Sequence, residues 1–145
     1  MGATSRASEP VRPTELHLSS DGTLDLSAWK GQVVYLDFFA SWCGPCRQSF
    51  PWMMDVQQRF KDRGFVVLAV NVDKDHELAA KFIKQFRPSF PIFFDSDGRL
   101  AEQMKVEGMP SSLIFDRTGK VRFAHTGFRL DQHLVLEDEL ASLLH

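Results

Sequence analysis

The chain has 145 residues, of which 43% are hydrophobic and 25% are charged, and its formal net charge is −2. These values are close to those of ordinary soluble domains, so they exclude disordered, collagen-like and disulfide-scaffold classes and predict one domain. The sequence contains no basic run and no apolar run of the roughly 20 residues that span a bilayer. We therefore expect no nucleic-acid partner and no membrane span in this chain.

The first residues, 1–13, are small and polar and contain Pro10 and Pro13, which predicts a flexible arm before a folded domain at 14–145. The arm has no apolar core and is therefore not a signal peptide. Leucines then alternate on both sides of Asp21-Gly22, a dipeptide typical of two-residue hairpin turns. The domain is predicted to begin with this β-hairpin.

A β-α-β unit follows the hairpin. Residues 33–39 and 65–72 are short runs that are apolar on both faces, as expected for central strands that are covered on both sides. Residues 43–62 lie between them and carry apolar side chains at mostly helical spacing. A strand, a helix and a strand of these lengths indicate a right-handed crossover and a parallel strand pair.

The second half of the chain is predicted to add three helices and three strands to the same mixed sheet, with helices on both of its faces. The predicted elements are a helix at 76–85, a strand at 91–94, a helix at 99–105, a hairpin of strands at 112–116 and 121–126, and a helix at 130–144. Asp131 is the predicted N-cap of the last helix. Its predicted apolar face consists of Leu130, Leu134, Leu140, Ala141 and Leu144.

The two cysteines, Cys43 and Cys46, lie where the first strand of the crossover gives way to its helix. The first N–H groups of a helix have no backbone partner, and the helix dipole adds partial positive charge there. Such a place stabilises a thiolate, which is the reactive form of cysteine. The spacing keeps Cys46 within reach of Cys43, so one thiol can attack a disulfide and the other can resolve the mixed disulfide.

Three structural explanations of the pair compete with redox chemistry. A bridge that closes only four residues stabilises a fold by about 2 kcal/mol in the loop-entropy model, which is a weak reason to keep it. Half a zinc site would need further ligands, but the five histidines are scattered, and His76 and His125 are predicted to be single residues without a partner. Coincidence would have to place both thiols at a strand-to-helix junction. The redox interpretation is favoured.

The run at 36–51, LDFFASWCGPCRQSFP, resembles the active-site segment of the thioredoxin superfamily. The lead-in at 24–32 and the long stretch between Asp73 and Pro110 are similar to those of its TlpA-like and redoxin branch, which inserts an extra helix and strand. Residues 106–110, VEGMP, resemble the cis-proline loop of that family. The resemblance covers about 14–145 and implies a thioredoxin-like α/β fold with a TlpA-type insertion before the cis-Pro loop.

Asp37 is an acid inside an apolar strand, and an unpaired buried carboxylate is costly unless it is neutralised or used. The resemblance implies that Asp37 lies beneath Cys46 and assists its proton transfers. It also implies a cis Met109-Pro110 bond that leaves the Met109 backbone free to pair with an extended substrate. Ala69 departs from the family, since thioredoxins carry a lysine there.

Three residues around the cysteines complete the predicted site. Trp42 either lines the substrate surface beside Cys43 or is a partly buried aromatic with a packing role. Gly44 and Pro45 stiffen the turn between the cysteines and are predicted to contact substrate. Ser111-Ser112 replaces the Glu-Thr of cytochrome-c-maturation members, which argues against a dedicated haem-maturation role.

These observations predict a thiol–disulfide oxidoreductase, and the Gly-Pro dipeptide of reducing thioredoxins favours a disulfide reductase. Two alternatives stay open: a thiol peroxidase, although no threonine lies three residues before Cys43, and a binding module whose cysteines are idle. No cofactor or metal is predicted. We expect a monomer with a protein disulfide substrate and a separate redox partner protein. The resemblance implies a periplasmic or other extracytoplasmic location, with a cytoplasmic one as the alternative.

Overall fold

The computed structural model describes Leu16 and residues 24–145, which form a five-stranded mixed sheet with four α-helices. The predicted arm at 1–13 and the hairpin turn at Asp21-Gly22 lie outside the described residues. The strands are β1 (Val33–Phe39), β2 (Phe65–Asn71), β3 (Ile92–Phe94), β4 (Ser111–Phe115) and β5 (Val121–Thr126). The helices are α1 (Gly44–Phe60), α2 (His76–Phe86), α3 (Arg99–Gln103) and α4 (His133–Leu143). Short 3₁₀ turns cover Ser27–Trp29, Lys61–Arg63 and Leu130–Gln132.

The strand order is β3-β2-β1-β4-β5, so β1 is the central strand. It pairs in parallel with β2 and antiparallel with β4, and Asp37 lies opposite Ala69 on one side and Ser112 on the other. The parallel pair confirms the predicted β-α-β unit, and the antiparallel pairing of β4 with β5 confirms the second predicted hairpin.

The two faces of the sheet are covered by different elements. Residues 33, 35 and 39 of β1 face α1, α2 and α4, and the largest buried side chain from α2 on this face is Phe82. Residues 34, 36 and 38 point the other way, toward Trp29 of the first 3₁₀ turn and Ala101 of α3. The alternation follows from the two-residue period of a strand, and it places the even and odd positions of β1 in separate cores. Helical cover on both faces is confirmed.

The C-terminal helix differs from its prediction in phase and in capping. Gln132 N donates to Arg129 O, an i to i+3 bond, so 130–132 is a 3₁₀ turn and α4 begins only at His133. Asp131 is therefore not the N-cap, and its carboxylate instead accepts from Arg129 Nε at 3.2 Å. The predicted apolar face was wrong at Leu130, Leu134 and Ala141, which are exposed, and right at Leu140 and Leu144, which are buried. The buried face of the helix consists of Leu136, Leu140 and Leu143.

In the part of the chain that the structure describes, no helix has the length and the apolar character that crossing a bilayer requires.

Candidate functional site: a disulfide at a helix N-terminus

Cys43 and Cys46 form a disulfide at the start of α1, with their Cα atoms 5.3 Å apart. Cys43 is the N-cap residue of the helix, and its sulfur accepts a hydrogen bond from Cys46 N at 3.2 Å. Pro45 occupies the first turn, where the backbone N–H has no partner within the helix, so the missing N–H of proline costs no hydrogen bond. The sequence therefore places the Cys43 sulfur where an N–H donor and the helix dipole both favour negative charge.

The two cysteines differ in how they face solvent. Cys46 is fully buried, whereas Cys43 keeps 4% of its surface exposed. The residues beside Cys43 are open, since Gly44 and Pro45 are exposed and Trp42 is 69% exposed. An attacking or attacked sulfur from another molecule can thus approach Cys43 but not Cys46. The exposure of Trp42 favours the first of its two interpretations, a residue on the surface beside the disulfide.

The loop before the disulfide, residues 39–43, is held by backbone hydrogen bonds at both ends. Phe39 O accepts from Val72 N at 2.9 Å, and Ala40 O accepts from Cys43 N at 3.2 Å. We call this segment the nucleophile loop. Its position follows from the parallel pairing of β1 with β2, because both strands end at the same edge of the sheet.

The middle of the nucleophile loop is bound by Asp73, which sequence reasoning missed. Ser41 N and Ser41 Oγ donate to the two Asp73 carboxylate oxygens at 2.9 and 2.7 Å. Asn71 Nδ2 donates to the same carboxylate at 2.8 Å, and Asp73 is 3% exposed. The strand order could have indicated this contact. Ser41 follows β1 and Asp73 follows β2, and the ends of adjacent parallel strands lie side by side at one edge of the sheet.

Arg47 joins the nucleophile loop to two helices. Its guanidinium donates to Ser41 O at 3.4 Å and to Gln85 Oε1 on α2 at 3.0 Å, and its central carbon lies 5.0 Å from the Phe82 ring centroid. The structure places it against the loop that carries Cys43.

Asp37 lies on the face of β1 that α1 covers, because it alternates with Tyr35 and Phe39, which pack in the same core as Cys46. It is 1% exposed, and its Oδ2 atom has no hydrogen-bond partner among the described residues. Burial raises the pKa of Asp37 well above its ordinary value. A carboxyl group in this position holds a proton more readily than an exposed aspartate does.

Tyr35 shares the environment of Asp37. Burial raises the pKa of the Tyr35 hydroxyl, and the nearby Asp37 carboxylate raises it further. Ala69 is the cross-strand neighbour of Asp37 on β2, so no cation compensates the carboxylate from that position. The departure from thioredoxins noted in the sequence thus lies directly beside the acid.

The Met109-Pro110 peptide bond is cis, as the resemblance implied. Pro110 precedes β4, and the first residue of β4, Ser111, pairs with Phe38 at the end of β1 that leads to the nucleophile loop. Pro110 O accepts from Gly127 N at 2.7 Å. Within the described residues, neither the N–H nor the C=O of Met109 has a hydrogen-bond partner. An edge of unpaired backbone is a place where an extended peptide can bind.

The prediction for His125 was wrong, because its Nε2 atom lies 2.6 Å from Glu139 Oε1 of α4. Fourteen residues separate the two, and only the packing of α4 on the sheet brings them together. His76 packs against Phe94 with the two rings tilted and their centroids 4.9 Å apart. Among the residues that the structure describes, no three acidic, histidine or cysteine side chains gather as metal ligands.

The chain matches the model of a protein family described as Redoxin over residues 6–140. Among curated proteins, the chain is 33% identical over 104 residues to the thiol-disulfide oxidoreductase ResA of Bacillus subtilis, and 32% identical over 102 residues to that of Geobacillus kaustophilus. These matches cover 72% and 70% of this chain. The chain spans only 58% and 59% of those relatives.

Two solved structures are similar over most of their length. A protein from Chlorobium tepidum described as the thiol:disulfide interchange protein DsbE is 43% identical with a TM-score of 0.82. The match covers 92% of this chain and 94% of that one. The exposed lipoprotein thioredoxin Etrx1 of Streptococcus pneumoniae is 28% identical with a TM-score of 0.69, covering 88% of this chain and 98% of that one. The similarity confirms the predicted thioredoxin-like fold.

Proposed function

Since the chain belongs to the redoxin family, we propose that it is a thiol–disulfide oxidoreductase that acts on protein disulfides through Cys43 and Cys46. The observation that carries the proposal is the difference between the two sulfurs at one helix N-terminus. Cys43 has an N–H donor and an exposed edge, whereas Cys46 is buried behind it. This arrangement suits a nucleophile and a resolving thiol.

In the first step, the Cys43 thiolate of the reduced protein attacks one sulfur of a substrate disulfide. A bond forms between Cys43 Sγ and that sulfur, the substrate S–S bond breaks, and the second substrate sulfur leaves as a thiolate that takes up a proton. The helix N-terminus and the Cys46 N–H stabilise the attacking thiolate. The product is a mixed disulfide between the protein and its substrate.

In the second step, Cys46 loses its proton and attacks Cys43 Sγ. The Cys43–Cys46 disulfide forms, the mixed disulfide breaks, and the substrate leaves with both of its sulfurs as thiols. Asp37 is the proposed acceptor of the Cys46 proton, because it lies on the same face of the sheet and is buried without a partner at Oδ2. Its raised pKa brings the carboxylate closer to the working pH of a base.

The substrate is proposed to lie across the Met109-Pro110 loop in an extended conformation. The unpaired N–H and C=O of Met109 would bond to its backbone, and exposed Trp42 would contact side chains next to the disulfide. Backbone pairing accepts many sequences, so it suits a protein that reduces disulfides in several partners.

The Gly44-Pro45 dipeptide supports a reductase direction, with electrons supplied by a separate redox partner protein. We propose that the protein works outside the cytoplasm, in the periplasm or an equivalent space, as a monomer. Its likeness to a protein described as an exposed lipoprotein thioredoxin supports that location.

The experiment is a single-turnover assay of the reduced protein with a protein that contains one disulfide, read by thiol labelling of both partners. We expect one substrate disulfide to be reduced for each Cys43–Cys46 disulfide formed, and none by the Cys43→Ser variant. Equal reduction by wild type and Cys43→Ser would overturn the proposal. A reduction potential near the roughly −270 mV of thioredoxin supports the reductase direction, and one near about −120 mV contradicts it.

A further inference from the structure

Ser41 is bonded through all of its polar groups. Its N–H and hydroxyl donate to Asp73, and its carbonyl accepts from Arg47. It lies two positions before Cys43, the N-cap residue, so its place fixes the turn that leads into the helix. Resting on the proposed thiol–disulfide exchange, we propose that Ser41 and Asp73 are positioning residues that hold Cys43 at the helix N-terminus when the disulfide is open.

Asp73 is itself held in a fixed position, as a positioning residue must be. It is nearly fully buried, and its carboxylate accepts from Ser41 N, Ser41 Oγ and Asn71 Nδ2 at 2.7–2.9 Å. Its own N–H donates to Asn71 Oδ1 at 2.9 Å, which fixes the acid to the end of β2. Hydrogen bonds to a carboxylate are stronger than neutral ones, and removing a partner leaves a buried acceptor unsatisfied.

The two redox states need this support unequally. In the oxidised protein the covalent bond to Cys46 keeps Cys43 in place. In the reduced protein that bond is gone, and the nucleophile loop alone decides whether the Cys43 sulfur stays within reach of the Cys46 N–H. Because these contacts keep Cys43 close to Cys46 in the reduced protein, they favour closure of the disulfide. Weakening them favours the open dithiol and makes the protein more oxidising.

The charged groups around the loop decide which variant is the cleaner probe. Arg47 on α1 contacts the loop directly, Asp73 follows β2, and Asp37 lies beneath α1 on β1. Replacing Asp73 would alter both the hydrogen bonds and the charge near Cys43. Ser41→Ala removes only the hydroxyl bond at 2.7 Å and changes no charge.

The test is the equilibrium of each variant with reduced and oxidised glutathione at pH 7. For Ser41→Ala we expect the equilibrium constant for forming the Cys43–Cys46 disulfide to fall about tenfold, a rise in reduction potential of about 30 mV. Ser41→Thr keeps the hydroxyl and the N–H, and it should restore the wild-type constant. An unchanged constant in Ser41→Ala would overturn the proposal.

Asp75→Ala is the matched control. Asp75 caps α2 by accepting from Glu77 N at 2.9 Å and contributes no hydrogen bond to the nucleophile loop. Losing this cap should lower the free energy of unfolding of both redox forms equally, by about 1 kcal/mol, and leave the glutathione equilibrium unchanged. A shift in Asp75→Ala as large as in Ser41→Ala would mean that general destabilisation moves the potential, and the proposal would fail.

Asp73→Asn and the double variant show whether the two residues act together. If Ser41 works through Asp73, the effects of Ser41→Ala and Asp73→Asn on the equilibrium constant are not additive, whereas additive effects would contradict the proposal. Glutathione replaces any protein substrate in these measurements. A protein that fails to reduce protein disulfides would refute the proposed function and leave this result standing, and the reverse also holds.

Discussion

The nucleophile loop and the Met109-Pro110 loop meet at the same end of the sheet but are bonded in opposite ways. In the first, the carbonyl oxygens of Phe39, Ala40 and Ser41 all accept hydrogen bonds, and the Ser41 N–H donates to the Asp73 carboxylate. In the second, Met109 leaves both of its backbone groups unpaired within the described part of the chain. The contrast separates two tasks, because a nucleophile must be held while a peptide-binding edge must stay open.

The same contrast appears in exposure. The sulfur that the proposal assigns to attack lies at the rim of a rigid helix end, and the resolving sulfur lies behind it in the core. Around them, Trp42, Gly44 and Pro45 are exposed to solvent. Rigid support of the reacting group combined with an unpaired recognition edge allows reaction with many partners at one fixed geometry.

The largest effect is expected from Asp37→Asn, which alters the buried acid on the side of the site that carries the cysteines. An amide cannot accept the Cys46 proton, so resolution of the mixed disulfide should slow by about 100-fold, whereas its formation by Cys43 should be nearly unchanged. Rapid-quench alkylation followed by mass spectrometry separates the two steps. Equal slowing of both steps would show that Asp37 supports the fold of the site rather than a proton transfer.

A second expectation concerns stability and pH. Because burial raises the pKa of Asp37, the folded protein keeps a proton there that the unfolded chain has lost above the ordinary aspartate value of 3.8. The free energy of unfolding should therefore fall as the pH rises from that value through the pKa of folded Asp37. Asp37→Asn should remove this slope and be more stable than wild type at pH 8, by about 1–3 kcal/mol.

Urea unfolding of the oxidised protein at pH values from about 4 to 8 measures this slope directly. Parallel curves for wild type and Asp37→Asn would contradict the buried, raised-pKa description of Asp37.

Sequence periodicity was sufficient for the sheet and most helices but failed where a short 3₁₀ turn changed the phase before α4. The cysteine pair and the cis-proline loop could be identified because their signals are local in the chain. The contacts of Ser41 with Asp73 and of His125 with Glu139 could not, because they join residues 32 and 14 positions apart that only packing brings together.

Substrate binding at the Met109-Pro110 loop can be tested without altering the protein. A peptide disulfide that is N-methylated beside its cysteine cannot donate to Met109, so KM should rise about tenfold while kcat changes little. The same peptide N-methylated at a residue far from its cysteine serves as the control and should keep the KM of the parent. A peptide that reacts as well as its parent when N-methylated beside its cysteine would contradict backbone pairing at Met109.

The smallest effect is expected at the exposed tryptophan. Trp42→Ala should change the free energy of unfolding by less than about 0.5 kcal/mol, because the side chain is 69% exposed, and raise KM for a protein disulfide about threefold. Leu134→Ala, at a side chain that is 63% exposed on α4, is the matched control and should leave KM unchanged. Equal effects of the two variants would remove Trp42 from the substrate surface.

The central claim is that Cys43 attacks and Cys46 resolves, and trapping the mixed disulfide tests it most directly. Cys46→Ser, incubated with a protein disulfide, should accumulate a covalent complex through Cys43 that peptide mapping identifies. Cys43→Ser should accumulate none, because the Cys46 sulfur is buried. A stable complex through Cys46, or no complex with Cys46→Ser, would contradict the account.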